Sequence, residues 1–289
     1  PDDPLVDPDI LTSTLTPTFI RLGTFDNHLY GLMVTSRSKS TVWYHPASFE
    51  ANGFEIPQTW EELKAIADDY VAAGEKPFAL GGGEGWTLTD WFENIFVRLY
   101  GPSDYGSLFV TRTTDWNDAQ VQTALTVMAD MILPYDERLA DGVDSILTTT
   151  HRDAVREWLE GDAAMYVEGG FVHAHAQEIS PELTCGEDYA FFTFPSINPD
   201  YGTPLVGSGD LAVVFNDTEA ARAFMNYISS PEGATTWVTA DVGSIISPNL
   251  GVHSSAYDDE CSRSEARQTQ SAGSFVFDGS DLMSGAFGE

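Results

Sequence analysis

Basic residues are what this chain has least of. Its 289 residues include 13 Lys and Arg against 45 Asp and Glu, a formal net charge of -32, and the only lysines are Lys39, Lys64 and Lys76. Such a polyanion disfavours DNA and anionic membrane surfaces as partners. Long apolar runs are missing too: none approaches the roughly 18 residues a membrane span needs, and no basic segment leading into an apolar one marks a signal peptide. Membrane insertion of this chain is therefore not expected. The opening PDDPLVDPD, without Met, reads as an internal start. Cysteine is scarce, with Cys185 and Cys261 alone, far apart and without CxxC spacing or an evident His partner. Metal or nucleophile chemistry is disfavoured by that arrangement, and one long-loop disulfide in an oxidising compartment is the expectation. Internal repeats and low-complexity linkers are absent.

The remaining composition is enough for a substantial core. At 42% hydrophobic and 12% aromatic, the length suits one large or two ordinary domains. The acids are dispersed and apolar periodicity survives between them, so they describe a charged folded surface rather than a disordered tail. Adaptation to high salt, where screening relieves self-repulsion, is the hypothesis this supports.

The most informative stretch is Pro77 to Arg98, PFALGGGEGWTLTDWFENIFVR. Phe78, Ala79 and Leu80 read as a buried strand, the glycines at 81, 82, 83 and 85 as a turn permitting close approach, and Thr87 or Thr89 as the cap of a following helix. Glu84, Trp86 and Asp90 are displayed there. An indole can cover the C–H face of a pyranose while carboxylates accept its hydroxyl hydrogens, so this is the candidate ligand site. A phosphate cradle is not expected, because no Gly-Lys-Ser/Thr follows.

Along the chain, Leu29 to Val34 and Thr41 to Tyr44 read as strands on either side of a polar crossing. Pro46 to Asn52 reads as a helix stopped by Gly53, and Thr59-Trp60-Glu61-Glu62 as a capping box. Further helices are expected after Asn117-Asp118, at His151 to Glu160 closed by Gly161, and at Glu219 to Ile228. Strands are expected at Ala163 to Val167, Tyr189 to Phe194 and Leu211 to Phe215. Gly169-Gly170-Phe171 is a second glycine turn presenting an aromatic. Strands alternating with helices imply a mostly parallel α/β architecture with ligands at the carboxyl ends of strands.

Read together, HLYGLMV, VWYHPASFEANGFEIPQTWEEL, WFENIFVRLYG, WLEGDAAMYVEGGF, GEDYAFFTFPSI, GSGDLAVVF, EAARAFMNYISSPEGATTW and FVFDGSDLM resemble the extracellular solute-binding proteins of ABC importers, family 1, related to maltose-binding protein. PQTWEEL and EGDAAMYVEGG are the most specific strings. The resemblance implies an α/β, two-lobed periplasmic-binding-protein fold (type II), truncated at both ends because members usually carry a long segment before this start and a helical tail beyond FDGSDLM. If this is the entire polypeptide, weak or no solute retention is expected. Residues 1-38 and 206-243 would form the first lobe, and 39-205 and 244-289 the second, with solute trapped as lobes rotate about crossing strands. Ser38 and Lys39 would then reach solute from the cleft floor, Glu84 and Trp86 would be its carboxylate and stacking aromatic, and Gly170 and Phe171 would also bind it, Phe171 standing where Trp is frequent. Asp210 would face the cleft from the returning lobe. The implied function is capture of a sugar or short oligosaccharide by an extracytoplasmic, monomeric subunit that delivers it to the permease, with no catalysis and no cofactor.

Other readings compete. A cationic solute such as a polyamine would suit an acidic cleft through cation–π contacts. Glu84 and Asp90 could serve a glycosidase, but six residues across a turn do not fix the carboxyl spacing. Gly207-Ser208-Gly209 lacks the serine-hydrolase elbow. His173 and His175 are expected exposed on a short helix, and Asp258 to Glu260 in a solvated loop without calcium-site spacing. Trp43 and Trp91 are expected in the core, and His45 in a structural role.

Overall fold

The computed structural model describes residues 5–140, 142, 144–240 and 245–283. The chain folds as two compact units, Pro1–Ser38 with Gly207–Gly273, and Lys39–Val206 with Ser274–Glu289. It thus passes between units three times.

The larger unit is built on strands β1 (Thr41–Tyr44), β2 (Phe78–Ala79), β3 (Met165–Val167) and β4 (Ala190–Thr193), ordered β2-β3-β1-β4. β1 is antiparallel to both neighbours, with Val42 opposite Val167 and Phe192, and only β2 and β3 run parallel. Among the described strand pairs antiparallel pairing prevails, which corrects the mostly parallel expectation. Strand–helix alternation suggests right-handed parallel crossovers, but here β1 lies between two strands that return in the opposite sense. Trp43 in β1 is fully buried against Trp158, Tyr189 and Phe191. Its indole N–H donates to the Glu168 carbonyl at 3.2 Å, which ties β1 to the end of β3.

Helices pack on this sheet where their caps dictate. α1 (Pro46–Asn52) has Pro in its first turn and ends at Gly53 in the left-handed region. α2 (Trp60–Ala72) starts at the reciprocal Thr59–Glu62 capping box and buries Trp60, Leu63, Ile66, Ala67 and Tyr70. α3 (Trp86–Phe109) is broken at Gly101, φ 82°, before Pro102. α4 (Ala119–Ile132) is capped by Asp118 and packs on α3. α5 (His151–Glu160) runs from a Thr150 cap to Gly161 at φ 87°. α6 (Val172–Ile179) follows Phe171. Trp91 is fully buried, edge-on to Phe78 and Phe194. His45 stacks on Trp158 at 5.1 Å, its Nε2 2.8 Å from the Trp158 carbonyl. The returning segment Phe275–Phe277 and Gly279–Leu282 docks on α3, where Gly279 lies so close to Phe109 that a Cβ would fall 2.1 Å from its ring.

The smaller unit holds helices Pro8–Thr14 and Pro17–Leu22, and a hairpin turning at Asp26 and Asn27, both at positive φ. Strand Gly31–Met33 is antiparallel to Leu211–Val213. Residues 245–273, expected with the second lobe, fall in this unit instead. The reason is local pairing: Ser36 N–H donates to the Ile246 carbonyl at 2.7 Å, Leu250 N–H to the Thr14 carbonyl at 2.7 Å, and Asn249 Nδ2 to the Ser229 carbonyl at 2.8 Å. Ala234, Val238, Ile246, Val252, Tyr257 and Ala266 form their shared core. Cys261 lies in the helix Glu260–Ser271, capped by Asp259, and not in the expected loop. Neither Cys185 nor Cys261 is a free thiol. Among the described residues, no helix is long and apolar enough to cross a membrane.

Candidate functional site

In the larger unit the parallel strands β2 and β3 end side by side, and each runs into a glycine turn. The turn after β2 runs beside the backbone of residues 146–150. Gly82 N–H donates to the Ile146 carbonyl at 2.8 Å and Gly83 N–H to the Thr149 carbonyl at 2.9 Å. Close approach is why glycine stands there: a Cβ on Gly81 would sit 2.4 Å from the Thr150 carbonyl oxygen. The helix begins at Trp86 after Gly85 (φ 80°), with no side-chain cap. Neither threonine caps it: the Thr87 hydroxyl donates to the Gly81 carbonyl, and that of Thr89 to the Trp86 carbonyl at 2.8 Å.

This backbone brings Trp86 and Phe171 together, edge to face, at 5.7 Å between centroids and 67° between planes. Two histidines complete the aromatic corner. His151, the first residue of α5, lies 5.2 Å from Trp86, and His175 of α6 lies 5.0 Å from His151. Glu84 is fixed beside them, accepting from the His151 backbone N–H at 2.9 Å, with its other oxygen 3.2 Å from His151 Nδ1. Its side chain is still 32% exposed, so oxygen lone pairs remain open to solvent. Trp86 and Phe171 are half-buried. Gly170 is buried, its carbonyl accepting from His173 N–H at 3.2 Å in the first turn of α6.

Beneath this surface lies a buried charge cluster. The Lys39 ammonium is 3.1 Å from Asp90 Oδ1, pairs with Asp278, and sits 5.1 Å from the Trp86 ring centroid. Burial lowers Lys39, but Asp90 and Asp278 outweigh it, raising the group above the ordinary lysine range and keeping it an ammonium. Against its own burial, Asp278 is held below the usual carboxylate range by the same ammonium. Burial, only partly offset by Lys39, pushes Asp90 up to about 7. Burial also carries Glu168 and Glu93 well above the ordinary range. Glu93 accepts from Gly279 N–H at 2.8 Å, from Ser280 N–H at 3.1 Å and from the Tyr105 hydroxyl, which pins the returning segment to α3.

Of the expected ligand residues, Glu84, Trp86 and Phe171 therefore share one partly exposed surface, with Gly170 supporting it. Lys39 and Asp90 do not stand on that surface. Asp90 has no exposed area and Lys39 is 8% exposed, because the ion pair draws both under the indole. In the smaller unit Ser38 is fully buried and its backbone N–H donates to Glu265 Oε1 at 2.8 Å. Asp210 is exposed and braced by Thr35, whose hydroxyl donates to its carboxylate at 2.7 Å and accepts from its N–H at 2.9 Å. His173, expected exposed, is buried, with Nδ1 2.8 Å from the Tyr189 hydroxyl. Sequence reasoning missed His151, Glu168 and Asp278; the one available signal was the position of His151 directly after a helix cap.

Comparison with solved structures defines the architecture as a type II periplasmic-binding-protein fold. The solute receptor AcbH superposes with a TM-score of 0.82 at 20% identity, over 97% of this chain and 69% of its own. RafE from Streptococcus pneumoniae gives 0.77 at 18%, over 96% and 69%. The sequence carries the assignment further: residues 1–235 match the bacterial extracellular solute-binding protein family, and the chain belongs to it. The osmoprotective compounds-binding protein GgtB of Synechocystis is 30% identical over 98% of this chain and 67% of its own length. The alpha-glucosides-binding periplasmic protein AglE of Rhizobium meliloti is 31% identical over 90% of this chain, which spans 57% of that relative.

Proposed function

We propose that this chain is the extracytoplasmic, non-catalytic binding subunit of an ABC importer, a monomer that captures a neutral sugar or short glycoside and delivers it to the permease. The observation that carries the reading is the half-buried Trp86 ring cornered by Phe171 beside a Glu84 carboxylate that two His151 donors hold in place. One aromatic wall supplies an apolar face for sugar C–H groups, and the fixed carboxylate accepts hydroxyl hydrogens without first having to be ordered. The names of GgtB and AglE, which concern osmoprotective compounds and alpha-glucosides, support a small polyhydroxylated solute.

Two rival readings lose ground on the same geometry. A polyamine would need the negative face of an indole, but Trp86 already has the Lys39 ammonium 5.1 Å from its centroid. A glycosidase would need two carboxyl groups flanking a bond, but Asp90 is fully buried and ion-paired.

Calorimetry with a panel of alpha-glucosides, glucosyl polyols and polyamines tests the proposal. A sugar that covers ~60 Å² of the indole gains about 1.5 kcal/mol from that contact, so Trp86→Ala is expected to weaken binding about tenfold. Binding of a polyamine in preference to every neutral sugar, or unchanged sugar affinity in Trp86→Ala, would overturn it.

A further inference from the structure

The Lys39 ammonium carries three N–H donors, and two carboxylates reach it from different segments. Asp90, 3.1 Å away, stands on α3 four residues after Trp86. Asp278 stands on the returning segment, between Phe275–Phe277 and Gly279–Leu282. The third neighbour is the Trp86 indole, whose centroid lies 5.1 Å from Nζ. Lys39 is itself the first residue of the larger unit, with its N–H donating to the Val206 carbonyl at 2.8 Å and its carbonyl accepting from Asn94 Nδ2 at 2.7 Å. One cation thus joins three stretches of chain beside the ring.

We propose that Asp278 is a positioning residue of the solute site: it fixes the Lys39 ammonium against Trp86, so that the returning segment sets the orientation of the indole. As a statement about solute binding, this rests on the reading of Trp86 as the sugar platform; as a statement about the ring, it stands alone. A lysine head rides on a flexible four-carbon stem. A single carboxylate, Asp90, would leave it free to swing, whereas a second one from another segment fixes its place.

Asp278 is suited to that task because it is itself held. Its Oδ1 accepts from the Ser280 hydroxyl at 2.6 Å and from Asp281 N–H at 3.1 Å, which leaves Oδ2 for Lys39. The two residues that follow it are pinned in turn, since Glu93 accepts from Gly279 N–H at 2.8 Å and from Ser280 N–H at 3.1 Å. Asp278-Gly279-Ser280 is therefore the sequence form of a clamp: an acid whose two oxygens face opposite ways, a glycine that allows the approach to Phe109, and a hydroxyl that locks the acid. The ammonium is only 8% exposed, so its attraction to the indole is little screened by water. A shift of the segment that returns after Gly273 consequently reaches Trp86 through one charged group.

The tie can be read without any sugar. Fluorine NMR of protein labelled with 5-fluorotryptophan resolves the seven indoles, and Trp86→Phe identifies the Trp86 line. Asp278→Asn keeps an oxygen for Ser280 and Asp281 but removes the charge; it is expected to move the Trp86 line and to leave those of Trp43, Trp91 and Trp158 in place. Ser280→Ala, which keeps both carboxylates on Lys39, should move none of them. In a Lys39→Met background Asp278→Asn should add no further shift, because its effect passes through the ammonium. Should Asp278→Asn not fold, the wild type answers alone: among only three lysines, the Lys39 ammonium should show cross-relaxation with the Trp86 ring protons and a coupling across the hydrogen bond to the Asp278 carboxyl carbon. Calorimetry with the tightest-binding alpha-glucoside should show affinity lowered about threefold to tenfold in Asp278→Asn. A Trp86 line that stays put in that variant, a shift shared equally by the four indoles, or a wild-type ammonium without contact to Trp86 would overturn the tie. A shifted line with unchanged glucoside affinity would overturn the positioning role. A protein that binds no sugar while its Trp86 line responds as expected would leave the tie standing and remove the proposed function instead.

Discussion

Replacing Lys39 by Met removes the single cation from the buried cluster and keeps most of the side-chain volume. Asp278, fully buried beside the lost ammonium, then has to be neutral in the folded protein, while in the unfolded chain it ionises above about pH 4. Holding one proton on such a group at pH 7 costs about 1.4 kcal/mol for each unit between pH 4 and pH 7, or about 4 kcal/mol, in the range expected when one partner of a buried pair is removed. Asp90, already displaced to about 7, takes up its proton at little further cost. The sign follows from linkage. In the wild type the depressed Asp278 contributes stability that is present above the unfolded-state value and lost as pH falls through the folded one; in Lys39→Met that contribution is absent, and the folded state binds more protons than the unfolded. The difference between the two proteins should therefore shrink by about 1.4 kcal/mol for each pH unit of acidification and nearly vanish near pH 4. Urea denaturation followed by tryptophan fluorescence is the assay, since Trp43, Trp60, Trp86, Trp91, Trp116 and Trp158 all belong to the larger unit and only Trp237 to the smaller. A difference that is flat between about pH 5 and 7.5, or below about 1 kcal/mol at pH 7, would refute the reasoning that Lys39 keeps Asp278 ionised.

Gly81→Ala is expected to cost about 1–3 kcal/mol, because its Cβ would meet the Thr150 carbonyl oxygen at 2.4 Å, and to weaken solute binding by displacing His151 from Glu84. Gly161→Ala, with open space around its Cβ but φ at 87°, should cost only about 1 kcal/mol and leave binding alone, so paired melting and calorimetry on the two variants separate crowding from backbone strain. Thr59→Ala breaks the capping box of α2 and should lower stability by about 1 kcal/mol in urea titration, with no effect on solute affinity. With 45 acids against 13 bases, the melting temperature should rise between low and molar salt; a constant value would count against a surface adapted to screening.

Legibility in the sequence tracked how local each feature is. Caps and stops were readable because they depend on a few adjacent residues: α1 ends at Gly53, α2 begins at Thr59 and α5 runs from His151 to Gly161, as the sequence implies. Trp86 and Phe171 were readable for a related reason, since a glycine turn after an apolar run marks a strand end where the next side chains are displayed. Strand direction was not, because β1 pairs with β3 and β4, which lie more than a hundred residues further along the chain. The 245–273 segment was misplaced for the same reason: its attachment to Ser36, Ser38 and Thr14 is made across the chain and leaves no periodic trace.

The fate of Asp90 shows how this distinction bears on function. Taken alone, a carboxylate one turn into a helix beside an indole reads as a hydroxyl acceptor, and Glu84 in the same stretch is well placed for that role. The difference between them lies in company that the local sequence does not contain. Glu84 is met by the N–H groups of His151 and stays partly exposed, whereas Lys39, Glu168 and Asp278 converge on Asp90 from three other segments. Burial raises the electrostatic stakes of every one of those contacts. On the proposed function, Asp90 would act on a solute only through the ring beside it, by holding the Lys39 ammonium against Trp86. A carboxylate that touches solute should lose affinity when made neutral at any pH. One that supports the site from below should lose it only under conditions that disturb the support, and Glu84→Gln compared with Asp90→Asn across pH distinguishes the two kinds of acid.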